Sequence, residues 1–140
     1  MSRIFWDTNL FIYLFEWHGD LSSRTTELRA RMLVRGDQLL TSTLTLGELL
    51  VKPIEQGQME VCRRYEAALA ATSVLLPFDV KAAKIYASLR CDRSLRAPDA
   101  IQLACAAATG VDLFITNDER LQGKQVKGIQ FIVPLVRAPV

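Results

Sequence analysis

The chain has 140 residues, half of them hydrophobic and 23% charged, with both signs interspersed. That is enough apolar surface to bury a core without disulfides or a structural metal, and it excludes an intrinsically disordered chain. The net charge of +2, from 17 basic against 15 acidic residues, permits a nucleic-acid partner without demanding one, so that reading needs a local cluster.

From the N-terminus, Arg3 to Trp6 reads as a buried strand that runs into Asp7. Thr8 to Trp17 follows as a helix apolar nearly all round, broken at His18-Gly19-Asp20. Ser22 or Ser23 caps a helix to Val34, with Leu28, Met32 and Leu33 as its apolar stripe and Gly36 as its stop. Gln38 to Ser42 is a second strand. A helix from about Thr45 carries Leu46, Leu49 and Leu50 on one side until Pro53 and Gly57 end or kink it. Gln58 to Ala71 is amphipathic, Val74 to Phe78 is a third strand, and Asp79 caps a helix through Leu89. After a loop over Cys91 to Ala97, Pro98 suits the first turn of a helix that ends at Thr109 before Gly110. Asp112 to Thr116 and Gln130 to Val133 are the last strands. Strands separated by helices predict one domain over residues 1–140, a three-layer α/β/α sandwich with a mainly parallel central sheet. The small side chains of Ala104 to Ala108 suit close packing of helix on sheet.

Cys62, Cys91 and Cys105 fit neither a zinc spacing nor a disulfide framework, and the expectation is small buried thiols in a reducing compartment. No signal-peptide layout precedes Asp7, and Leu10 to Phe15 is too short to span a bilayer. A soluble cytoplasmic protein is expected, with no membrane partner.

Four acids carry the chemistry. Asp7 and Asp118 each follow a strand, and ligands of open α/β sheets bind outside the carboxyl ends of strands. A helix cap at Asp7 and a plain turn at Asp118 are the bland alternatives. Asp99 lies in the first turn after Pro98, where the helix dipole alone would favour an acid. Glu48 shares a helical face with Leu44 and Val51, and a carboxylate among aliphatics needs a partner if buried. No Lys or Arg adjoins Asp7 or Glu48 in sequence. Gathered together, such carboxylates call for a hard divalent cation, and an all-oxygen set suits Mg²⁺ or Mn²⁺ rather than zinc. Metal-assisted attack on a phosphate follows from that. His18, the lone histidine, lies in a loop away from all four acids and reads as a surface residue.

Phe5-Trp6-Asp7-Thr8-Asn9, the segment Leu44 to Leu50 around Glu48, Leu95 to Ala104 around Asp99, and Phe114-Ile115-Thr116-Asn117-Asp118 resemble, in order, the four signatures of PIN domains. The compact length is most similar to the VapC toxins of toxin–antitoxin pairs. The resemblance implies Mg²⁺- or Mn²⁺-dependent RNA cleavage, a homodimer, and a small antitoxin that blocks the site. It assigns the metal and the attacking water to Asp7, Glu48, Asp99 and Asp118. It makes Thr8, Asn9, Thr116 and Asn117 the groups that orient those carboxylates. A non-catalytic RNA- or protein-binding module on the same shell is the alternative. A phosphatase with Asp7 as nucleophile is opposed by Asn9, since such enzymes place a second acid two residues on.

Arg90, Arg93 and Arg96 recur every three residues up to Asp99 and are candidates to hold RNA phosphates, with a solvated helix end as the alternative. Nothing in the sequence reads bases. The all-round apolar helix Leu10 to Phe15 reads mostly as core, with a dimer or antitoxin contact as the alternative.

Overall fold

Five short strands form one fully parallel sheet in the computed structural model, which describes residues 1–140. They are β1 (Arg3–Trp6), β2 (Gln38–Ser42), β3 (Val74–Leu76), β4 (Val111–Ile115) and β5 (Ile129–Val133). The spatial order is β3-β2-β1-β4-β5, with Phe5 opposite both Leu40 and Phe114. Chain order runs outward from β1 to β3, then returns to the other side of β1 for β4 and β5. The sheet therefore has its topological switch point between β1 and β4, where a cleft opens at the carboxyl ends of the strands.

Side chains that alternate along each strand build two cores. Ile4, Trp6, Leu39, Leu113 and Ile115 pack with Leu10, Phe11, Leu28, Met32, Leu49 and Leu69. Those residues come from α1 (Thr8–Phe15), α2 (Asp20–Arg35), α3 (Thr43–Glu55) and α4 (Met59–Thr72). Phe5, Leu40 and Phe114 face the other way, against Ala82 of α5 (Val80–Leu89) and Leu103, Ala104 and Ala107 of α6 (Ala97–Thr109). Phe5 and Phe114 stack there at 4.9 Å and 8°. Both faces of the sheet are covered, which is why the strands read as near-continuous apolar runs. The three-layer, mainly parallel expectation holds, and every strand pair is parallel. No helix is long and apolar enough to cross a membrane.

Several local expectations shift. The first helix stops at Phe15, because Glu16 is extended, and Trp17 beyond it is 78% exposed. The second begins at Asp20 rather than at Ser22. Ser22 instead ties the connection together, accepting from the His18 N–H at 2.7 Å and donating to the Glu16 carbonyl at 3.0 Å. Its stripe is Leu28 and Met32 at i,i+4 spacing, while Leu33 is 62% exposed. Gly36 closes that helix in the left-handed region at φ 73°, donating to the carbonyls of Met32 and Leu33. Pro53 lies inside α3, which runs on to Glu55. The third strand ends at Leu76, since Pro77 has no N–H for the ladder. Cys62 and Cys105 are buried but Cys91 is exposed, and burial pushes the Cys105 thiol up to about 11.

Gly128 sets how closely the lead into β5 approaches α6. It has φ 98°, and a Cβ there would stand 2.6 Å from the Ala107 carbonyl oxygen. Both the backbone conformation and the space oppose any side chain, so Gly128→Ala is expected to cost about 2–3 kcal/mol. A lowered urea midpoint with unchanged slope would show it.

Candidate functional site

The two acids at strand ends meet at the switch point. Asp7 continues β1, and its N–H donates to the Ile115 carbonyl at 3.1 Å, so the β1–β4 pairing extends to the acid itself. Asp118 lies three residues past the end of β4, where the chain turns out of the sheet. Glu48 is brought from α3 and Asp99 from the first turn of α6. All four line one open cleft of about 320 Å³, together with Thr8, Asn9, Ile12, Pro98 and Gln102.

Each carboxylate has a distinct setting. Asp7 does cap α1, its Oδ1 accepting from the Thr8 N–H at 2.8 Å, but its Oδ2 also accepts from the Thr116 hydroxyl at 2.8 Å. Burial still pushes its carboxyl above the usual range, against those two hydrogen bonds, and the charges of Asp99 and Glu48 push the same way. Burial likewise raises Asp99, and the charge of Asp118 adds to it, while Arg120 and Arg96 act in the opposite sense. The helix-dipole explanation of Asp99 is therefore insufficient, because the net effect of its surroundings is unfavourable to charge. Asp118 goes the other way: hydrogen bonds from Arg120 hold its carboxyl below the usual range. Glu48 reaches the cleft for a different reason from the one its sequence neighbours suggest. It is exposed, as is Val51 on the same face, and its Oε1 accepts from the Thr8 hydroxyl at 2.6 Å.

Behind the cleft lies a buried polar chain whose proton directions can be assigned. Thr41 donates to the Trp6 carbonyl at 2.9 Å, so the Thr45 hydroxyl, 2.7 Å away, donates to Thr41. Gln102 donates through Nε2 to Thr45 at 2.9 Å and to Thr8 at 3.1 Å, and accepts from the Ser42 hydroxyl through Oε1. With those donors in place, the Thr8 proton points to Glu48. Gln102 is 1% exposed and escaped sequence reasoning. Its signal was a lone amide in an apolar helix, three residues and so one helical face from Asp99.

The remaining expected residues divide. Thr116 both donates to Asp7 and accepts from the Asp118 N–H at 3.0 Å, linking two acids. Asn9 is exposed at the cleft, whereas the Asn117 side chain turns away to accept from the Leu135 N–H at 3.1 Å. Arg96 is exposed, and its charge reaches both Asp99 and Asp118. Arg90 is tied to Tyr86, donating to its hydroxyl at 3.0 Å, and neither it nor Arg93 lines the cleft. His18 is exposed and packs its ring against Tyr13 at 5.8 Å, outside that lining. Arg120 is the second residue that sequence reasoning missed. It donates from Nε and Nη2 to Asp118 at 3.0 and 2.5 Å.

The donor set fits a hard divalent cation in its chemistry: four carboxylates, oxygen only, two of them pushed up by burial and by the charge of a neighbouring acid. No three of them yet stand close enough to make a ready-formed cage. Fold and cleft together define a parallel α/β protein with an acidic, cation-suited site at its switch point. The PIN domain family matches residues 4–126, and the chain belongs to that family.

The fold is similar to that of a chain in the VapBC2 complex from Rickettsia felis bound to a promoter DNA fragment. The TM-score is 0.70 at 16% identity, over 94% of this chain and 98% of that one. DNA-bound VapBC from Salmonella typhimurium gives 0.69 at 19% identity, over 96% and 99%. The VapBC-5 toxin–antitoxin structure from Mycobacterium tuberculosis gives 0.60 at 22% identity, over 95% and 99%. At these identities the likeness is one of fold. No curated protein matches the sequence.

Proposed function

We propose that this chain is a single-domain, metal-dependent endoribonuclease, residues 1–140, that hydrolyses RNA phosphodiester bonds as the toxin of a toxin–antitoxin pair. The observation that carries the reading is the convergence of Asp7, Glu48, Asp99 and Asp118 on one cleft, with Asp7 and Asp99 raised by burial first and by the charge of neighbouring carboxylates second. Membership of the PIN domain family, whose members are generally nucleases, supports it. The four carboxylates would hold Mg²⁺ or Mn²⁺, which when bound activates water and offsets charge on a phosphodiester.

The chain's own groups do the rest. The Thr116 hydroxyl and the Thr8 N–H fix the plane of the Asp7 carboxylate, and the Thr8 hydroxyl fixes Glu48. Asn9, exposed in the cleft lining, would orient a carboxylate or meet the substrate once the metal is bound. Arg90, Arg93 and Arg96 would hold RNA phosphates outside the cleft lining, Arg96 nearest in effect because its charge acts on both Asp99 and Asp118. A small cognate antitoxin, a homodimer and a cytoplasmic setting complete the proposal, in keeping with the VapBC complexes that share the fold.

The test is cleavage of total RNA by the purified protein. Cleavage is expected with Mg²⁺ or Mn²⁺ and is expected to vanish in EDTA. Equal cleavage in EDTA would sink the metal centre. Tight RNA binding without turnover in any metal would leave a non-catalytic RNA-binding module in its place.

A further inference from the structure

Arg120 is in ion-pair contact with two of the four candidate metal ligands. Its Nε donates to Asp118 Oδ1 at 3.0 Å and its Nη2 to Asp118 Oδ2 at 2.5 Å, a two-pronged fork on one carboxylate. Its backbone N–H adds a third bond, to Oδ1 at 3.0 Å. The same Nη2 stands 3.8 Å from Asp99 Oδ2. Both oxygens of Asp118 are thereby engaged, and the guanidinium is within ion-pair reach of two acids from different elements, one from the loop after β4 and one from α6.

Taking the metal-centre reading above as given, we propose that Arg120 is a resident counter-ion. It competes with the incoming divalent cation for Asp118 and Asp99, and once displaced it pairs with the substrate phosphate. A dication bound by these carboxylates repels a guanidinium in the same place, so the two cannot share Asp118 as it is now held. The side chain is 48% exposed, so it is free to leave without disrupting the core. Its backbone, however, is fixed two residues from Asp118 by that N–H bond, which keeps the displaced guanidinium at the rim of the same cleft. A planar fork that matches a carboxylate also matches a phosphodiester, which a lysine at this position would not reproduce. An ion pair this exposed adds little to folding, so a purely structural role would leave metal affinity untouched.

The experiment is calorimetric titration of Mn²⁺ into the metal-free protein, without RNA, for wild type, Arg120→Ala, Arg120→Gln and Arg120→Lys. Arg120→Ala and Arg120→Gln are expected to bind Mn²⁺ about tenfold more tightly, with Arg120→Lys between them and wild type. RNA cleavage at saturating Mn²⁺ should then show a raised KM in all three. Wild-type binding that Arg120→Ala and Arg120→Gln match or weaken would overturn the competition while leaving the metal centre standing. An unchanged KM would overturn the phosphate role. Failure of every form to bind Mn²⁺ would remove the metal-centre reading itself, and this inference with it.

Discussion

Asp7→Asn is expected to abolish RNA cleavage, by on the order of a hundredfold or more, and at the same time to make the metal-free protein more stable at neutral pH. The two effects share one cause. Asp7 is held in a buried position where desolvation and the charges of Asp99 and Glu48 all oppose its ionisation, and only the hydrogen bonds from Thr116 and Thr8 favour it. A folded-state pKa above the ordinary 3.8 means that the native state binds the proton more tightly than the unfolded chain does. Stability therefore falls as pH rises through the interval between 3.8 and the raised value of Asp7, and stays lower above it. Asparagine removes that loss. It also gives up one of the two acceptors, so the Thr116 hydroxyl loses its partner, which offsets part of the gain. A net gain on the order of 1 kcal/mol is expected at pH 7 in EDTA, vanishing below pH 4. Melting curves of both proteins across that range would check it. Mn²⁺ should reverse the order, because it stabilises only the form that binds it well. A variant that keeps its activity, or that melts lower than wild type at neutral pH in EDTA, would remove Asp7 from the centre of the site.

What made Asp7 and Asp118 legible was their position at the carboxyl end of an apolar run buried on both sides, Asp7 directly after it and Asp118 after Thr116 and Asn117. Ile4, Phe5 and Trp6 are fully buried, as are Phe114 and Ile115, so the strand ends could be read without knowing the sheet order. The order itself was out of reach. That β1 is central, with β4 beside it, depends on which helices cover which face, and no local signal encodes that. Glu48 was found for an insufficient reason. Its aliphatic neighbours do not enclose it, and what places it is a hydroxyl 40 residues away. The error at Leu33 has the same origin. Helical spacing identifies a stripe but not its width, and the sheet receives only Leu28 and Met32. Arg120 lies two residues from Asp118, so that half of its role was visible locally, but its reach toward Asp99 is tertiary. Gln102 was hidden by composition. An amide within Ala-Ile-Gln-Leu-Ala reads as a tolerated interruption of an apolar face, and only the structure shows hydroxyls from three other elements converging on it.

Gln102→Leu is expected to cost about 3 kcal/mol or more, the largest stability loss among single changes that leave side-chain volume nearly constant. Leucine fills the space and forms no cavity, so the cost is one of unmet hydrogen bonds. The Ser42 hydroxyl loses its acceptor, and the Thr8 and Thr45 oxygens lose their donor, all within a region where Ser42, Thr45 and Gln102 are at most 1% exposed. An unsatisfied buried polar group costs about 1–3 kcal/mol, and Ser42 is left as one. Thr8 and Thr45 keep the bonds they donate to Glu48 and Thr41 and each lose an accepted one, and hydroxyl rotation recovers part. Gln102→Glu should be worse. It replaces the donating amide by an oxygen facing Thr8 and Thr45, whose protons are already committed to Glu48 and Thr41. Either the carboxylate is buried unpaired, or it must keep a proton at neutral pH. Gln102→Glu should therefore regain stability as pH falls, a dependence that Gln102→Leu cannot show. Urea midpoints at pH 5 and pH 8 separate the two causes. A loss below about 1 kcal/mol in Gln102→Leu would mean that the hydroxyls pair among themselves without the amide. The polar chain would then owe its order to Thr41 and the Trp6 carbonyl instead.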